Sequence, residues 1–213
     1  MVTMLNLDGL TIEWLGQASV KIKSEKIIYI DPYHLKDPVE KADLILVTHS
    51  HYDHYSPQDI AKLTKSTTFV AIPEDAKKDL FSLINQNNLI TVVPNQTYKM
   101  GNLEILTIPS YNLNKPFHPL KNNWVGYIMS LNQKKIYHAG DTDCIPEMSK
   151  LKNITVALLP IGGTYTMDSL EAAKAVSIIK PEIAIPIHYG TIVGTKGDAL
   201  KFKELCSLRV EIL

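Results

Sequence analysis

Short apolar runs, separated by turn-forming residues, fill the first fifty positions of the chain. They show no helical period, and runs of this length between turn signals are typical of β-strands. The turns fall at Gly16-Gln17 and Ser24-Glu25, and Asp31-Pro32 ends the third run. The pattern predicts strands at 11–15, 19–23, 27–30 and 42–47.

Helix signals then alternate with further apolar runs. Ser56-Pro57 supplies a serine N-cap and a proline at the first helical position, so a helix is expected to about Lys65. Asp168 and Glu171 have the spacing of a capping box for a helix through Ile179. Two more helices are predicted, at 74–85 and 199–207. Further strands are predicted at 68–72, 90–93, 98–100, 103–108, 125–131, 134–138, 155–159, 183–187 and 210–213.

The two halves of the chain repeat one order of elements, in which hairpins come first and strands alternating with helices follow. In the second half, hairpin turns are expected at Gly101-Asn102 and Asn132-Gln133. Two mixed sheets packed face to face, with helices outside, would bury both sets of apolar strands. We therefore expect an α/β (α+β) fold, with residues 1–213 as a single domain made of two similar halves.

Three histidines and an aspartate follow the predicted strand at 42–47, namely His49, His51, Asp53 and His54. Imidazole and carboxylate are ligands of zinc and similar divalent metals. Alternation along an extended segment would send His49 and His51 to the same side, so both could reach one ion. Asp53 and His54 could hold a second ion. The alternative is a polar loop rich in histidine, but packing does not readily explain such a cluster at a strand end.

Two later strand ends carry the same ligand types, a carboxylate and an imidazole. Asp141 follows Gly140 directly after a strand, and His188 follows the apolar run 183–187. Taken alone, the first could be a glycine–aspartate turn and the second a structural histidine. Loops at one end of the sandwich would gather both residues beside the cluster at 49–54, which favours a ligand role for each.

The order of these motifs resembles that of the metallo-β-lactamase superfamily of hydrolases, and Asp31-Pro32 after a strand is also typical of it. Within the superfamily, three segments resemble the compact branch related to ascorbate-6-phosphate lactonase and the N-acyl-phosphatidylethanolamine phospholipase D group. These segments are 137–143, 159–167 and 185–190.

The resemblance implies a four-layer αββα sandwich, the metallo-β-lactamase fold, with a binuclear metal site. It implies His49 and His51 on the first metal, and Asp53, His54 and His188 on the second. Asp141 would bridge the two ions. Zinc is the first choice of metal for both positions, and manganese stays open because the site mixes imidazole with carboxylate.

The first metal needs one more ligand, and here the chain departs from the pattern. Related proteins carry a histidine shortly after a strand, where this chain has Asn112. His118 is the histidine left in that interval, and a loop of six residues can fold back because each residue spans about 3.3–3.6 Å at full stretch. We therefore expect His118 to be the replacement ligand. The alternative is a surface His118, with Asn112 or water completing a weaker site.

Six further residues have a possible role beside an ordinary structural one. His138 is expected to orient Asp141 or to pack in the core, and His34 is expected to lie in a loop. The remaining four could contact substrate: Tyr165 and Tyr189 as donors to an oxyanion, and Lys115 and Lys196 toward an anionic group.

Composition narrows the partners and the setting. The 213 residues carry a net charge of zero without a basic stripe, so nucleic acid is not an expected partner. Cys144 and Cys206 do not resemble a disulfide framework, and a reduced, cytoplasmic setting is expected. Residues 1–10 lack the pattern of a signal peptide, and the chain has no apolar run of membrane-span length. The oligomeric state is left open.

These observations favour a metal-dependent hydrolase. Two divalent ions about 3.5–4 Å apart lower the pKa of a bridging water and polarise a carbonyl or phosphoryl group. A metal-bound hydroxide positioned by Asp53 and Asp141 would attack an ester, lactone or phosphodiester, in a small-molecule substrate that could be anionic. The alternatives are a non-catalytic metal-binding or regulatory protein with an incomplete site, and a nuclease of the same superfamily.

Overall fold

The computed structural model describes residues 4–81, 83–101 and 103–213. The first seven strands are β1 Met4–Leu7, β2 Leu10–Gly16, β3 Ser19–Lys23, β4 Ile27–Ile30, β5 Leu44–Leu46, β6 Phe69–Ile72 and β7 Leu89–Thr91. The next seven are β8 Thr97–Met100, β9 Leu103–Pro109, β10 Val125–Leu131, β11 Lys134–His138, β12 Val156–Pro160, β13 Ile183–Ile187 and β14 Arg209–Val210. The α-helices are α1 Pro57–Leu63, α2 Ser169–Ile179 and α3 Lys196–Leu205. Short 3₁₀ helices cover Glu74–Leu80, Gln86–Asn88, Leu120–Asn122 and Pro146–Lys150.

Two sheets organise the described part of the chain, each with seven strands. Their orders are β1-β2-β3-β4-β5-β6-β7 and β14-β13-β12-β11-β10-β9-β8. In each sheet four antiparallel strands come first along the chain, and three parallel strands follow them. Parallel strands need crossover connections, and these segments carry the α-helices.

Three apolar clusters divide the molecule into four layers. The central cluster joins the facing sides of the two sheets, through residues such as Ile12 and Ile30 on one side and Tyr127 and Leu158 on the other. A second cluster packs α2 and α3 on the outer face of the second sheet, and a third packs α1 on the first. The αββα sandwich expected from the sequence is therefore confirmed, because each sheet buries one face against the other sheet and one against helices.

Strand limits agree closely with the apolar pattern. Five predicted strands have the same bounds in the structure, at 19–23, 27–30, 125–131, 134–138 and 183–187. The others shift by one to three residues, and the last strand shortens to Arg209–Val210. The sequence analysis missed β1, whose four residues include only one buried side chain. The turn expected at Gly101-Asn102 falls partly outside the described residues, which include Gly101 but not Asn102.

The helix predicted at 74–85 is shorter in the structure and is of the 3₁₀ type. The structure has a 3₁₀ helix at Glu74–Leu80, and Ser82 lies outside the described residues. Pro73 precedes this segment without a side-chain cap. Asn85 accepts a hydrogen bond from the Asn87 N–H and begins a separate turn. Asparagine that bonds to nearby backbone in this way competes with a continuing helix.

Two helix starts also differ from the expected caps. Asp168 caps α2 by accepting from the Glu171 N–H, but the Glu171 carboxylate accepts from the Cys144 N–H instead of completing a capping box. α3 begins at Lys196, three residues before the predicted start, because Thr195 and Asp198 form a full capping box there.

The sheets bring several chain segments to one edge. β5 leads into residues 49–54, β11 into Asp141, and β13 into His188. Because the carboxyl ends of parallel strands meet at one edge of a sheet, these loops collect there. None of the helices in the described ranges is both long and apolar enough to span a membrane.

Candidate metal centre

A cavity of about 210 Å³ opens at this edge between the two sheets. Its inner wall is formed by His51, Asp53, His118, Asp141 and His188. Its mouth is lined by Tyr52, Phe117, Tyr165 and Ile192. His49 and His54 lie behind this wall, both fully or almost fully buried. The structure therefore brings together all seven residues that the sequence analysis named as candidate ligands.

Asp31 controls the orientation of two imidazoles from the end of β4. Its Oδ2 accepts from the Thr48 hydroxyl at 2.7 Å and from Nδ1 of His54 at 2.8 Å. Since the Thr48 proton points to Asp31, the Thr48 oxygen accepts from Nδ1 of His49 at 2.9 Å. Nδ1 is thus the protonated nitrogen of both rings. Nε2 of His49 then faces Nδ1 of His51 at 3.1 Å, and Nε2 of His54 faces Oδ1 of Asp141 at 3.3 Å.

His118 is held in the same manner by Asn112. The Asn112 Oδ1 lies 3.0 Å from Nδ1 of His118 and 3.0 Å from its backbone nitrogen. Nε2 of His118 then faces Asp141, with 3.3 Å between Nε2 and Oδ2. The loop expected from the sequence does fold back, so His118 reaches the place where the ligand pattern was incomplete.

Trp124 and Asp75 support the histidine loop from behind. The Trp124 ring packs against the rings of His49 and His51, with centroids 5.0 and 4.8 Å apart. Its indole N–H donates to Asp75 Oδ2 at 2.9 Å, and that oxygen also accepts from the Ser50 hydroxyl at 2.6 Å. No sequence motif points to Trp124 or Asp75, because their contacts cross more than twenty positions of the chain.

Asp141 occupies the centre of the cluster. Its Oδ2 lies 3.0 Å from Nε2 of His188 and 3.9 Å from Nε2 of His49, and its Oδ1 lies 3.3 Å from Nε2 of His54. Gly140 precedes it with φ +65°, where a Cβ would meet the Ser110 hydroxyl at 3.0 Å. Glycine is needed here because both the left-handed backbone and the close neighbours disfavour a side chain.

Two side chains fix the backbone around Asp141. Ser110 donates from its hydroxyl to the Asp141 carbonyl at 2.7 Å. His138 lies between two backbone groups: Nε2 is 2.9 Å from the Ala18 carbonyl, and Nδ1 accepts from the Gly140 N–H at 3.2 Å. His138 therefore shapes the turn that carries Asp141, as the sequence analysis expected of it.

Gln17, in the turn between β2 and β3, contacts residues from both sheets at this site. Its side-chain amide lies 2.9 Å from Asp53 Oδ2 and 3.0 Å from Nε2 of His188. Its backbone carbonyl accepts from the His188 N–H at 2.7 Å, and its Oε1 accepts from the Thr191 hydroxyl at 2.8 Å. The sequence analysis treated Gly16-Gln17 only as a turn, and no local signal distinguishes this glutamine from other turn residues.

The donor set fits divalent cations. Three groups have ligand atoms within 4.8 Å of one another: His49, His51 and His118; His49, His54 and Asp141; Asp53, His54 and His188. Among the described residues, four buried atoms of this cluster have no hydrogen-bond partner: Nε2 of His54, Nε2 of His118, Oδ1 of Asp141 and Nδ1 of His188. Nε2 of His54 and Oδ1 of Asp141 lie 3.3 Å apart, and Nε2 of His118 lies 3.3 Å from the other oxygen of Asp141. Burial without a partner is costly unless a cation joins such atoms.

Charge within the cluster shifts the pKa of its members in opposite directions. Burial and the neighbouring His54 hold the pKa of His49 well below its usual value. Burial opposes the charged form of Asp141, but His188 and His54 outweigh it and lower the pKa of that carboxyl. Burial likewise opposes protonation of His54, but Asp141 and Asp31 raise its pKa well above 6.5. A cation bound there would replace the proton on His54 Nε2.

Of the other residues singled out from the sequence, three lie away from the cavity and one lies at its mouth. His34 is an exposed loop residue stacked on Tyr33, and Tyr189 is buried against Trp14 with ring centroids 4.6 Å apart. Lys196 is exposed in the first turn of α3. Tyr165 is the only one of this group that lines the cavity.

Lys115 and the two cysteines are not among the residues that line the cavity. Lys115 pairs with Asp143 and, at 3.7 Å, with Glu171. Cys144 and Cys206 are free thiols.

Known proteins resemble the chain over nearly its whole length. The family described as the β-lactamase superfamily domain matches residues 11–188. A UPF0173 metal-dependent hydrolase of Thermococcus onnurineus is 33% identical over 216 residues, covering 95% of this chain and 94% of that protein. One from Pyrococcus furiosus is 35% identical over 217 residues, covering 95% and 94%.

Solved structures show the same arrangement. A Parabacteroides distasonis protein, whose crystal structure is described as that of a metal-dependent hydrolase, superposes with a TM-score of 0.86. It is 30% identical and covers 100% of this chain and 97% of its own. A metallo hydrolase from Ignicoccus hospitalis has a TM-score of 0.77 at 26% identity, covering 96% of this chain and 94% of its own. The similarity therefore includes both sheets and the edge where the metal centre lies.

Proposed function

Because this chain belongs to the β-lactamase superfamily and has the metallo-β-lactamase fold, we propose that it is a metal-dependent hydrolase of small esters or lactones. The observation that carries the proposal is the convergence of seven ligand side chains from both sheets on one open cavity. Purely structural histidines have both ring nitrogens satisfied, whereas the Nε2 atoms of His54 and His118, which face Asp141, have no hydrogen-bond partner among the described residues.

The geometry supports two divalent ions, with zinc as the first choice. His49, His51 and His118 would hold one ion, and Asp53, His54 and His188 would hold the other. Asp141 lies within 3.9 Å of four imidazole nitrogens and would join the two positions. When bound, such ions lower the pKa of a water molecule and polarise a carbonyl or phosphoryl oxygen.

Asp53 is suited to orienting the attacking water. It faces the cavity, while Gln17 holds its Oδ2. Burial opposes its ionisation, but the hydrogen bond to His188 and the charge of His54 lower its pKa to about 2. Asp53 is therefore a carboxylate at neutral pH, able to accept a hydrogen bond from the attacking water and to orient it.

The cavity favours an uncharged acyl group over a phosphate. Its mouth consists of Tyr52, Phe117, Tyr165 and Ile192, and no lysine or arginine is among the described residues that line it. Lys115, the nearby cation named from sequence, is engaged by two carboxylates. A volume of about 210 Å³ admits only a small substrate.

A substrate panel tests this proposal. Protein loaded with zinc, and separately with manganese, is assayed on p-nitrophenyl acyl esters, on γ- and δ-lactones, and on bis-p-nitrophenyl phosphate. We expect esters or lactones to be turned over faster than the phosphodiester, with a loss of more than about 100-fold in His51→Ala and Asp141→Ala. His34→Ala, an exposed histidine outside the cavity, is the control. Full turnover by both folded site variants would reject the proposal.

The two alternatives drawn from the sequence find less support. An incomplete, non-catalytic metal site is suggested by Asn112, but ligand atoms of His49, His51 and His118 lie within 4.8 Å of one another, which supports a complete first site. A nuclease also binds the neighbouring phosphates of the strand through Lys and Arg side chains, and the residues lining the described cavity include neither. Two tightly bound zinc ions without turnover of any substrate class would favour the regulatory alternative.

A further inference from the structure

Asn112 stands between the metal centre and a charged network outside it. Its side chain is buried, and its backbone N–H donates to the His118 carbonyl at 2.8 Å. One end of its amide faces His118, and the other faces Asp143. Asp143 is itself held by the Leu113 N–H and by Lys115.

The contacts of Asn112 determine which way its amide points. Nδ2 lies 3.0 Å from the Asp143 carboxylate and 2.9 Å from the Tyr165 carbonyl. Both of these partners can only accept hydrogen bonds, so the atom facing them must be the amide nitrogen. A flipped amide would place oxygen against two oxygens and would lose both bonds.

The orientation of the amide in turn determines the protonated nitrogen of His118. Oδ1 of Asn112 can only accept, and it lies 3.0 Å from the His118 N–H and 3.0 Å from its Nδ1. Nδ1 must therefore carry a proton. In the neutral ring this leaves a lone pair on Nε2, which is buried and 3.3 Å from Asp141 Oδ2 without a hydrogen-bond partner among the described residues.

We propose that Asn112 is a positioning residue for metal binding, which holds His118 as the Nδ1–H tautomer and keeps Nε2 free for the ion. The part of this inference that concerns the ion rests on the proposed function, and the part that concerns the His118 tautomer does not. Asn112 marks the departure from the family pattern in the sequence. In the structure, Asn112 orients the His118 ring, and Asp143 in turn orients the Asn112 amide.

Two substitutions separate this role from a structural one. Asn112→Leu removes the acceptor at His118 and the donor at Asp143. Asn112→Asp keeps an oxygen facing His118 but places a second oxygen against Asp143. If Asn112 only supported the fold, metal affinity would follow stability, and the aspartate variant would lose as much as the leucine variant. If Asn112 acts on His118, the aspartate variant keeps zinc affinity close to that of the wild type.

The experiment uses two readouts. Two-bond ¹H–¹⁵N correlation spectra of the metal-free protein report the His118 tautomer, assigned with His118→Gln. Zinc affinity is measured by competition with a chromophoric chelator. We expect Asn112→Leu to lose the single Nδ1–H tautomer and to weaken one zinc site by about 10–100-fold. We expect Asn112→Asp to keep the tautomer and bind within about threefold of wild type.

Thr107→Val is the matched control, because Thr107 is also buried and bonds to backbone, at Val93 and Gln96, outside the centre. It should lower stability without changing the tautomer or zinc affinity. A folded Asn112→Leu protein with the wild-type tautomer and zinc affinity would overturn the inference, as would equal zinc loss in the aspartate and leucine variants. A wild-type protein that binds no zinc would reject the proposed function, while the tautomer measurement would still decide the role of Asn112.

Discussion

Asp31 shows how much of this site depends on one buried acceptor. It accepts from the Thr48 N–H, the Thr48 hydroxyl and Nδ1 of His54. Asp31→Asn would place an amide N–H against one of these donors, leaving a buried polar group unpaired. We expect the free energy of unfolding to fall by about 2–4 kcal/mol in urea titrations, and zinc affinity to fall about 10–100-fold.

Asp43→Asn is the control for this substitution. Asp43 also accepts from a backbone N–H, that of Ile27, but it lies away from the metal centre and pairs with Lys65. Asp43→Asn should lower the free energy of unfolding by less than Asp31→Asn does, and it should leave zinc affinity unchanged. Equal zinc affinity in Asp31→Asn and Asp43→Asn would show that Asp31 does not orient His54.

Gly140 offers a second test at single-residue scale. Gly140→Ala adds a Cβ at φ +65°, where it would meet Ser110 Oγ at 3.0 Å and the Val125 carbonyl at 3.1 Å. Gly9→Ala has a similar backbone angle, φ +82°, but its Cβ would have no neighbour within 3.8 Å.

We expect Gly9→Ala to cost about 1–2 kcal/mol in the free energy of unfolding, the backbone cost alone. Gly140→Ala should cost more than Gly9→Ala and should also lower turnover, since the displaced turn carries Asp141. Equal losses of stability for the two variants, with unchanged turnover, would mean that the close contacts at Gly140 relax freely.

At the scale of elements, the capping box of Thr195 and Asp198 at the start of α3 can be tested by itself. The Thr195 hydroxyl accepts from the Asp198 N–H at 3.2 Å, and the Asp198 carboxylate accepts from the Thr195 N–H at 2.8 Å. Thr195→Ala should lower the free energy of unfolding by about 1 kcal/mol in urea titrations, with zinc affinity unchanged. Lys201→Ala, an exposed change on the same helix, should stay within about 0.5 kcal/mol. A similar loss of stability in Thr195→Ala and Lys201→Ala would mean that the Thr195 cap does not stabilise α3.

Strands were easier to predict than helices here, for a physical reason. Strands such as β10 and β13 are apolar along their length and bounded by turns, so pattern and structure agree. The segment 74–85 has helical composition, but Asn85 forms a local turn that the pattern does not weigh.

Most candidate ligands could be found because the cluster at 49–54, Asp141 and His188 each follow a strand. His118 lies in a loop and was found because the ligand pattern was incomplete and few other histidines remained. The residues that orient them could not, because the contacts of Gln17 and Asp75 span tens of positions of the chain.

At the scale of the whole molecule, the metal centre joins the two sheets. His49, His51 and His54 come from the first sheet, and Asp141 and His188 come from the second. Without cations the cluster keeps buried donor and acceptor atoms unpaired among the residues that the structure describes. Ions that bind ligands from both sheets only in the folded state should stabilise the assembled sandwich as a unit.

Zinc removal should therefore lower thermal stability as well as activity. At a free zinc concentration 100 times the Kd, one site adds about 2.7 kcal/mol, which corresponds to roughly 5–10 °C in the Tm of a chain of this length. Calorimetry of chelator-treated protein, with and without added zinc, measures this shift, and Asp141→Ala should reduce it while His34→Ala should not. A zinc-dependent shift of the same size in Asp141→Ala would place the stabilising ion elsewhere, since Asp141 lies within 4 Å of four imidazole nitrogens, those of His49, His54, His118 and His188.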